Sequence, residues 1–489
     1  MKDGSRARVP LSILATAATT WAVANCFYVY LALHGARAFR IESATILMIC
    51  LSLPRLFLNP DTALDGRTSQ PTSQPLERLG YLVPLAIWLA IVVPFIGFPF
   101  LSDDYVFLDR YRHFADVRYA PQFFRPLFAV IFVTLNKVGH GSPEPFHALA
   151  FGLHLATAWL ASSLTRRMIS YEAAPIVFAM FLTNPLQLEA VLWVSGLQEI
   201  LWAFFTLAAL HVYISQHVLS KPRLVVTLLL TTCALLSKET AVCIIALIPL
   251  VDWSIVRFQR GRQMWPIYAA FCVLLISYLG IRSQVASIDR GFLLWPSTYF
   301  VKHFLVTPYR FFSQPWNSTA VHVPPVLACI TSVVIIVFLW AATLRGMSLR
   351  AVIGPAIVLL ATAPLSSYFF VRHDLLAARY LYMPAFGWAL VVASVLTALA
   401  TTPRMIVASS MAIACLLGVA LTGNLRPWRT AGQMVSMLSA DRCRFSDGGF
   451  AKLQSDPHWT FRGDVPQEYE GVGVFINGYP EFVRLYCDH

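Results

Sequence analysis

Charged side chains are scarce in this sequence. Asp, Glu, Lys and Arg make up 13% of the 489 residues, whereas hydrophobic residues make up 57%. An average soluble domain carries about 25% charged residues. The composition therefore excludes an ordinary soluble globular protein and predicts a polytopic membrane protein.

Basic tracts and metal-binding cysteine patterns are also missing. Lys and Arg outnumber Asp and Glu by 37 to 25, but they are scattered between apolar runs and form no block of the kind that binds nucleic acid. The nine cysteines show no Cys-x-x-Cys or Cys/His spacing typical of zinc sites. We therefore expect no nucleic-acid partner. Membrane topology and anionic, lipid-like ligands explain the positive charge better.

Long apolar runs dominate what is present, and they predict an all-α bundle of about 13 transmembrane helices. The first run is too long for the apolar region of a signal peptide and lacks a convincing small-residue cleavage site, so we interpret it as a first spanning helix. The runs cover residues 11–33, 43–58, 79–100, 145–165, 171–184, 197–215, 222–236, 239–252, 264–282, 323–344, 351–370, 380–400 and 404–422.

Short basic connections give the orientation. With alternating spans they all fall on one side, which the positive-inside rule makes cytoplasmic, so the N-terminus is inside and the C-terminus outside. The residues that define this side are Lys2, Arg6, Arg8, Arg67, Arg78, Arg166, Arg167, Lys221, Arg223, Arg257, Arg260, Arg262, Arg345, Arg350 and Arg404. Residues 59–78, rich in Thr, Ser, Pro and Gln, are predicted to be a flexible cytoplasmic linker.

An acidic pair, Asp103 and Asp104, directly follows the apolar run 79–100 on the predicted outer face. Carboxylates at the end of a membrane span are suited to acid/base chemistry or cation binding. The alternative is an interfacial charge pair that only marks the end of a helix. Because neighbouring carboxylates repel, at least one pKa should rise unless a cation intervenes.

Four other segments lie on the same predicted face. They are the connection 101–144, for which we expect interfacial helices, the Asn-Pro turn at 184–196, the basic and aromatic segment 283–322, and residues 371–384. Lys238 and Glu239 also lie near this face, either as an internal salt bridge or with Lys238 meeting a phosphate that Glu239 helps to orient. The excess of basic residues outside indicates an anionic ligand.

Residues 423–489 form a small segment of different composition, rich in Asp, Glu, Gly, Pro and aromatic residues. We expect it outside the membrane, after a core at residues 79–422 and an N-terminal part at residues 1–78. Cys443 and Cys487 flank this segment, and an oxidising compartment would allow them to pair, but the sequence does not decide whether they do.

Five motifs in order resemble the GT-C membrane glycosyltransferases. They are the acidic pair, Arg-Pro-Leu at 125–127, Asn-Pro-x-x-x-Glu-Ala-Val-x-Trp-Val-Ser-Gly at 184–196, Ser-Lys-Glu at 237–239 and Arg-Tyr-Leu-Tyr-x-Pro at 379–384. The closest likeness is to the membrane part of the transmembrane and tetratricopeptide-repeat O-mannosyltransferases and their bacterial relatives, over roughly residues 80–400.

The chain departs from this family at several points. Asn184 and Gln187 stand where the family usually or often has His, and Leu197 stands where it has Arg. No tetratricopeptide repeats follow the last predicted span, which puts recognition of a protein acceptor in doubt. The spans within residues 11–58 precede the shared core and look like an addition.

The resemblance implies that a single sugar moves from a polyprenyl-phosphate donor to an acceptor on the outer face. Asp103 is then the base or orients it, and Asp104 shares that role, binds the acceptor or helps to hold a divalent cation such as Mg²⁺ or Mn²⁺. Direct transfer would invert the anomeric centre, by analogy with glycosidases. The donor-phosphate candidates are Lys238, Arg372, Arg379 and His373, and the candidates for sugar or acceptor contact are Glu189, Glu239, Tyr105 and Tyr380.

Two other functions compete with this one. A lipid or glycan transporter also has many spans, but it would place charges near the bilayer midplane and tends to have two related halves, and we find no internal repeat. An outer-face polymerase or ligase of lipid-linked glycans would share the basic loops. The sugar is not identified, and the acceptor is an envelope glycan such as lipopolysaccharide, a lipid, or a protein hydroxyl. We expect a bacterial inner membrane with the site facing the periplasm, or the endoplasmic reticulum in a eukaryote.

Overall fold

The computed structural model describes residues 74–114, 123–215, 220–252, 264–285, 310, 316–317, 319, 353–365, 371–440 and 454–487. The predicted runs at 11–33, 43–58 and 323–344 lie outside these residues, as does most of the basic segment 283–322.

The described chain is mostly helical. The helices are α1 (Gln74–Val92), α2 (Asp103–Arg110), α3 (Pro126–Val138), α4 (Glu144–Met168), α5 (Ala173–Leu182), α6 (Leu188–Leu192), α7 (Leu197–Tyr213), α8 (Lys221–Ser237), α9 (Ile244–Val251), α10 (Met264–Val285), α11 (Ile353–Thr362), α12 (Tyr382–Leu399), α13 (Pro403–Ala440) and α14 (Tyr479–Tyr486). Short 3₁₀ turns lie at Val93–Phe95, Pro185–Gln187, Val194–Gly196, Glu239–Cys243, Ala363–Leu365 and Ala378–Leu381.

Six helical segments in the described part of the chain are long and apolar enough to cross a membrane, and a bent pair raises the number to seven. A mostly helical membrane protein is therefore confirmed, whereas the count of 13 stays a prediction. Several predicted spans form shorter pieces. The run at 239–252, for example, begins with a 3₁₀ turn and continues into α9, and Glu239–Val251 is too short to cross about 30 Å of hydrocarbon alone.

The bent pair is Ala173–Leu182 with Pro185–Leu192, and the angle between its halves is 50°. The predicted Asn-Pro breaker explains the bend. The carboxamide oxygen of Asn184 accepts a hydrogen bond from the backbone N–H of Leu186 at 3.0 Å, which starts the 3₁₀ turn, and Pro185 has no N–H with which to continue α5. The whole turn is buried, so the break directs polar backbone and side chains into the bundle.

Basic residues that the charge pattern assigned to one side gather at one end of the bundle. The Arg166 guanidinium at the end of α4 donates to the Tyr81 hydroxyl near the start of α1 at 3.0 Å. Arg167 similarly reaches the carbonyl of His211 near the end of α7 at 3.5 Å. Asp103 follows the other end of α1. Which side of a membrane each end faces stays a prediction.

The C-terminal segment contains a small antiparallel sheet with strand order β1-β2-β3, formed by Trp459–Arg462, Val465–Tyr469 and Val472–Gly473. The sequence alone predicted no secondary structure for this segment. The helix before it is longer than predicted, because α13 continues from the last apolar run through Ala440.

Candidate active site

Three of the sequence motifs meet through direct contacts. The indole N–H of Trp193 donates to the carbonyl of Leu101 at 3.0 Å, which joins the 184–196 turn to the loop before α2. The backbone N–H of Arg379 donates to Glu189 at 2.8 Å, which joins the same turn to residues 377–380. These contacts bring three of the segments that we predicted on one face next to one another.

Asp104 is buried and fully engaged with protein groups. One carboxylate oxygen accepts from the backbone N–H of Leu101 at 3.0 Å, and the other accepts from the backbone N–H of Ser195 at 2.7 Å and from the Ser195 hydroxyl. Burial raises the pKa of Asp104 to about 7, although these hydrogen bonds oppose the rise. The charge of Asp103 adds least to it. The expected rise is confirmed, but burial and not mutual repulsion is its main cause.

Asp103 is the accessible member of the acidic pair. It begins α2 and is partly exposed, and its Oδ1 accepts a hydrogen bond from the carboxamide of Asn477 at 2.7 Å. It also lies close enough to Arg379 to act on the charge of that guanidinium. The two adjacent residues therefore differ in role, since Asp104 is buried in contacts within the protein and Asp103 is partly accessible to solvent.

Glu189 is buried and holds the loop that carries Arg379. Its carboxylate accepts from the backbone N–H groups of Ala377 and Arg379 at 3.2 and 2.8 Å, and it pairs with the Arg379 guanidinium. With only 4% of Glu189 exposed, the sugar or acceptor contact that we expected for it is not available in this arrangement. The Arg379 side chain keeps 17% exposure and stacks over the Trp193 ring at 4.4 Å.

Lys238 pairs with a carboxylate that sequence reasoning missed. Its ammonium contacts Glu199, whose other oxygen accepts from the indole N–H of Trp202 at 2.7 Å. The ammonium also lies 4.5 Å from the ring centre of Tyr380. Because Lys238 is only 3% exposed, it does not present a free charge to a phosphate. The alternative of an internal salt bridge with the adjacent Glu239 is also wrong.

Glu239 instead forms a two-point pair with Arg125. The Arg125 Nε–H donates to Glu239 Oε2 at 2.8 Å, a second bond joins Nη2 to Oε1, and the remaining Nη1 donates to Gln198. Both carboxylate oxygens of Glu239 therefore accept from Arg125, and the residue is only 7% exposed. Arg125 stands in the Arg-Pro-Leu motif, and Glu199 is an ionisable residue inside the predicted span 197–215, which is a signal for a functional position.

Three buried ion pairs connect the motif loops. Three cations face three carboxylates, and each ion pair bridges two segments that are distant in the chain. Such pairs are costly to bury and strongly destabilising to break, so they fix how the motif loops sit. The pairs are Arg125 with Glu239, Lys238 with Glu199, and Arg379 with Glu189.

The two tyrosines proposed as sugar or acceptor contacts are packing residues in this structure. The hydroxyl of Tyr105 donates to the carbonyl of Phe100 at 2.7 Å, and the ring is buried against Phe482 of the C-terminal segment with ring centres 5.0 Å apart. The ring of Tyr380 is buried beside two cations, Lys238 and Arg379.

Arg372 and His373 lie apart from the paired cluster. The Arg372 guanidinium reaches the carboxylates of Asp374 at 2.5 Å and of Glu468 at 2.9 Å, which ties the 371–379 loop to the C-terminal segment. His373 is exposed, and its carbonyl accepts from the guanidinium of Arg310 at 3.3 Å. Of the four donor-phosphate candidates, Arg379 is the one that combines partial exposure with proximity to Asp103.

Neither the metal nor the disulfide prediction is decided. Within the described ranges, no group of three or more His, Cys, Asp or Glu residues is arranged to hold a metal ion, and Asp104 already accepts three hydrogen bonds. A cation held by Asp103 and Asp104 therefore stays a prediction. Cys487 is disulfide-bonded, and its predicted partner Cys443 lies outside the described residues.

Comparison of the chain with protein family models, with curated proteins and with solved structures found no match.

Proposed function

We propose that this protein is a membrane glycosyltransferase that moves one sugar from a polyprenyl-phosphate donor to a hydroxyl acceptor at the extracytoplasmic face. One observation carries the proposal. Trp193 links the partly exposed Asp103 and Arg379, because its indole N–H donates to the carbonyl of Leu101, two residues before Asp103, and the Arg379 guanidinium stacks over its ring. The other charges of the motif loops 184–196 and 237–239 are buried and paired.

Asp103 and Arg379 supply the two groups that the reaction needs. The acceptor hydroxyl attacks the anomeric carbon, the bond between that carbon and the phosphate oxygen breaks, and the polyprenyl phosphate leaves with both bonding electrons. Asp103 takes the proton of the hydroxyl as general base. Arg379 stabilises the charge that develops on the departing phosphate. Attack without a covalent sugar-enzyme intermediate inverts the anomeric centre, by analogy with glycosidases.

The buried pairs position these two groups. Glu189 fixes both the backbone and the guanidinium of Arg379, and Ser195 fixes Asp104, the residue next to Asp103. The Lys238 ammonium and the Arg379 guanidinium both lie over the ring of Tyr380, so Lys238 helps to position Arg379 through that ring. Their contribution is therefore preorganisation, because rigid placement of base and cation before the substrate arrives lowers the barrier.

The acceptor we propose is an envelope glycan of a bacterial inner membrane, with the site facing the periplasm. Membrane lipids surround the bundle, and the donor reaches the site with its prenyl chain in the bilayer.

A transfer assay in membranes tests the proposal. Radiolabelled polyprenyl-phosphate sugars are supplied to membranes that contain the wild type, Asp103→Asn or Asp109→Asn. Asp109 is the matched control, since it lies on the same helix and is also partly exposed, but it pairs with Arg112 and Arg484. We expect label to enter an acceptor fraction with the wild type and Asp109→Asn, and transfer to fall at least about a hundredfold with Asp103→Asn.

Other outcomes contradict specific parts of the proposal. Full transfer by Asp103→Asn would remove Asp103 as base. If none of the donors is consumed and labelled lipid instead changes leaflet, the protein is a transporter and the acidic pair belongs to a gate.

A further inference from the structure

The C-terminal segment closes directly over the start of α2. The backbone N–H of Ser102 donates to the carbonyl of Val474 at 2.7 Å, and the backbone N–H of Asn477 donates to the Ser102 hydroxyl at 3.2 Å. Ser102 has φ 46° and ψ −115°, a conformation that residues other than glycine rarely adopt. Contacts across this interface therefore hold the residue that precedes Asp103.

The side chain of Asn477 reaches the proposed base itself. Its carboxamide nitrogen donates to Asp103 Oδ1 at 2.7 Å across 374 residues of sequence. Gly478 follows with φ 79°, and a Cβ at this position would overlap the carbonyl oxygen of Ser102. The glycine lets the two backbones approach closely enough for the carboxamide to face the carboxylate.

Contacts on either side of Asn477 fix this approach. The Tyr105 ring packs against Phe475 and Phe482, with ring centres 5.9 and 5.0 Å apart. The Arg484 guanidinium lies 3.2 Å from the carboxylate of Asp109, six residues along α2 from the base, but this pair is half exposed and adds little. The apolar cluster anchors the segment, and Asn477 needs only to orient its own side chain.

We infer that Asn477 is a positioning residue for Asp103, so that the C-terminal segment forms part of the active site. The inference rests on the proposed function. One oxygen of Asp103 accepts from the carboxamide, which holds the carboxylate in one rotamer with its other oxygen directed to the acceptor.

Chemical labelling tests the inference without an activity assay. Carbodiimides modify carboxyl groups that they can reach, so the rate of modification of Asp103 at one fixed pH, followed by peptide mass spectrometry on the full-length protein, reports how firmly the carboxylate is held. We expect Asp103 to be modified at least about threefold faster in Asn477→Ala, which lacks the carboxamide that contacts Oδ1.

Arg484→Ala is the matched control. It removes an ion pair at the same interface and leaves the carboxamide on Asp103, so the labelling rate should not change. An unchanged rate in Asn477→Ala, or an equal change in Arg484→Ala, would overturn the inference and leave the segment with a purely structural role.

Transfer kinetics give the second readout. We expect Asn477→Ala to lower kcat about tenfold with the donor KM unchanged. A raised KM with unchanged kcat would mean that Asn477 contacts the donor and does not position the base. Faster labelling of Asp103 in Asn477→Ala, in a protein that consumes no donor, would refute the proposed function and keep the assigned contact.

Discussion

Arg125 and Glu239 lie 114 residues apart in the chain and form a buried, two-point ion pair. The pair joins the loop before α3 to the 3₁₀ turn before α9, two motifs that the sequence shows only as separate short patterns. The third nitrogen group of the same guanidinium donates to Gln198 at the start of α7. One side chain thus ties three segments beneath the site.

Removing the arginine should destabilise the protein strongly. Arg125→Met leaves Glu239 buried without its partner, for which we expect a loss of about 3–5 kcal/mol in the free energy of unfolding. Thermal unfolding in detergent measures the loss. The double variant Arg125→Met with Glu239→Gln should recover at least half of it, because no charge is then left unpaired. Additive losses in the double variant would show that the pair is not coupled.

Replacement of Arg379 by lysine should weaken donor binding. A lysine keeps the charge but cannot hold Glu189 and a phosphate with separate nitrogens, so we expect about a tenfold loss of affinity for a polyprenyl-phosphate sugar, or about 1.4 kcal/mol. Binding of labelled donor to purified protein measures this loss. Arg372→Lys is the control, since the Arg372 guanidinium already pairs with Asp374 and Glu468. The affinity of this variant for the donor should stay within about twofold of the wild-type affinity. Equal losses would place the phosphate between the two arginines.

Stability should depend on pH through Asp104. Burial raises its pKa to about 7, above the ordinary value of 3.8. Between these two pH values the folded protein keeps a proton that the unfolded chain has released. The stabilising contribution is complete below about pH 4 and is lost as the pH rises through about 7, at about 1.4 kcal/mol for each unit of pKa difference. Asp104→Asn should flatten this dependence, and Asp109→Asn should not. Thermal unfolding midpoints between about pH 5 and pH 8 measure the slopes, and equal slopes in both variants contradict the assignment.

Two glycines of the C-terminal segment provide a matched test of its docking. Gly463 and Gly471 both have positive φ, at 62° and 84°, so alanine strains either backbone by about 1–2 kcal/mol. Only at Gly471 would the new Cβ also overlap the carbonyl oxygen of Asp374, whereas the space around Gly463 is open. Gly471→Ala should therefore raise amide hydrogen exchange in residues 465–474 at least about tenfold over Gly463→Ala. Similar exchange in both variants would mean that the 371–379 loop does not hold the segment.

Sequence reasoning selected candidate residues but did not find the partners that these residues have in the structure. It identified Asp103, Lys238 and Arg379 because ionisable residues at the ends of apolar runs are costly and conspicuous. It could not tell that Lys238 pairs with Glu199 and not with its neighbour Glu239, because that choice depends on how two distant helices are rotated against each other. Hydropathy places a helix in the bundle but does not fix its rotation.

The sequence by itself determined the class of the molecule, since apolar runs long enough to cross a bilayer must satisfy their backbone hydrogen bonds as helices. It also determined the break at Asn184 and Pro185, because proline cannot continue the hydrogen-bond pattern. Only the tertiary structure decided which carboxylate of the acidic pair is buried and that Asn477 contacts the other. Adjacent residues on a helix point about 100° apart, and the packing of distant segments selects which of them meets solvent.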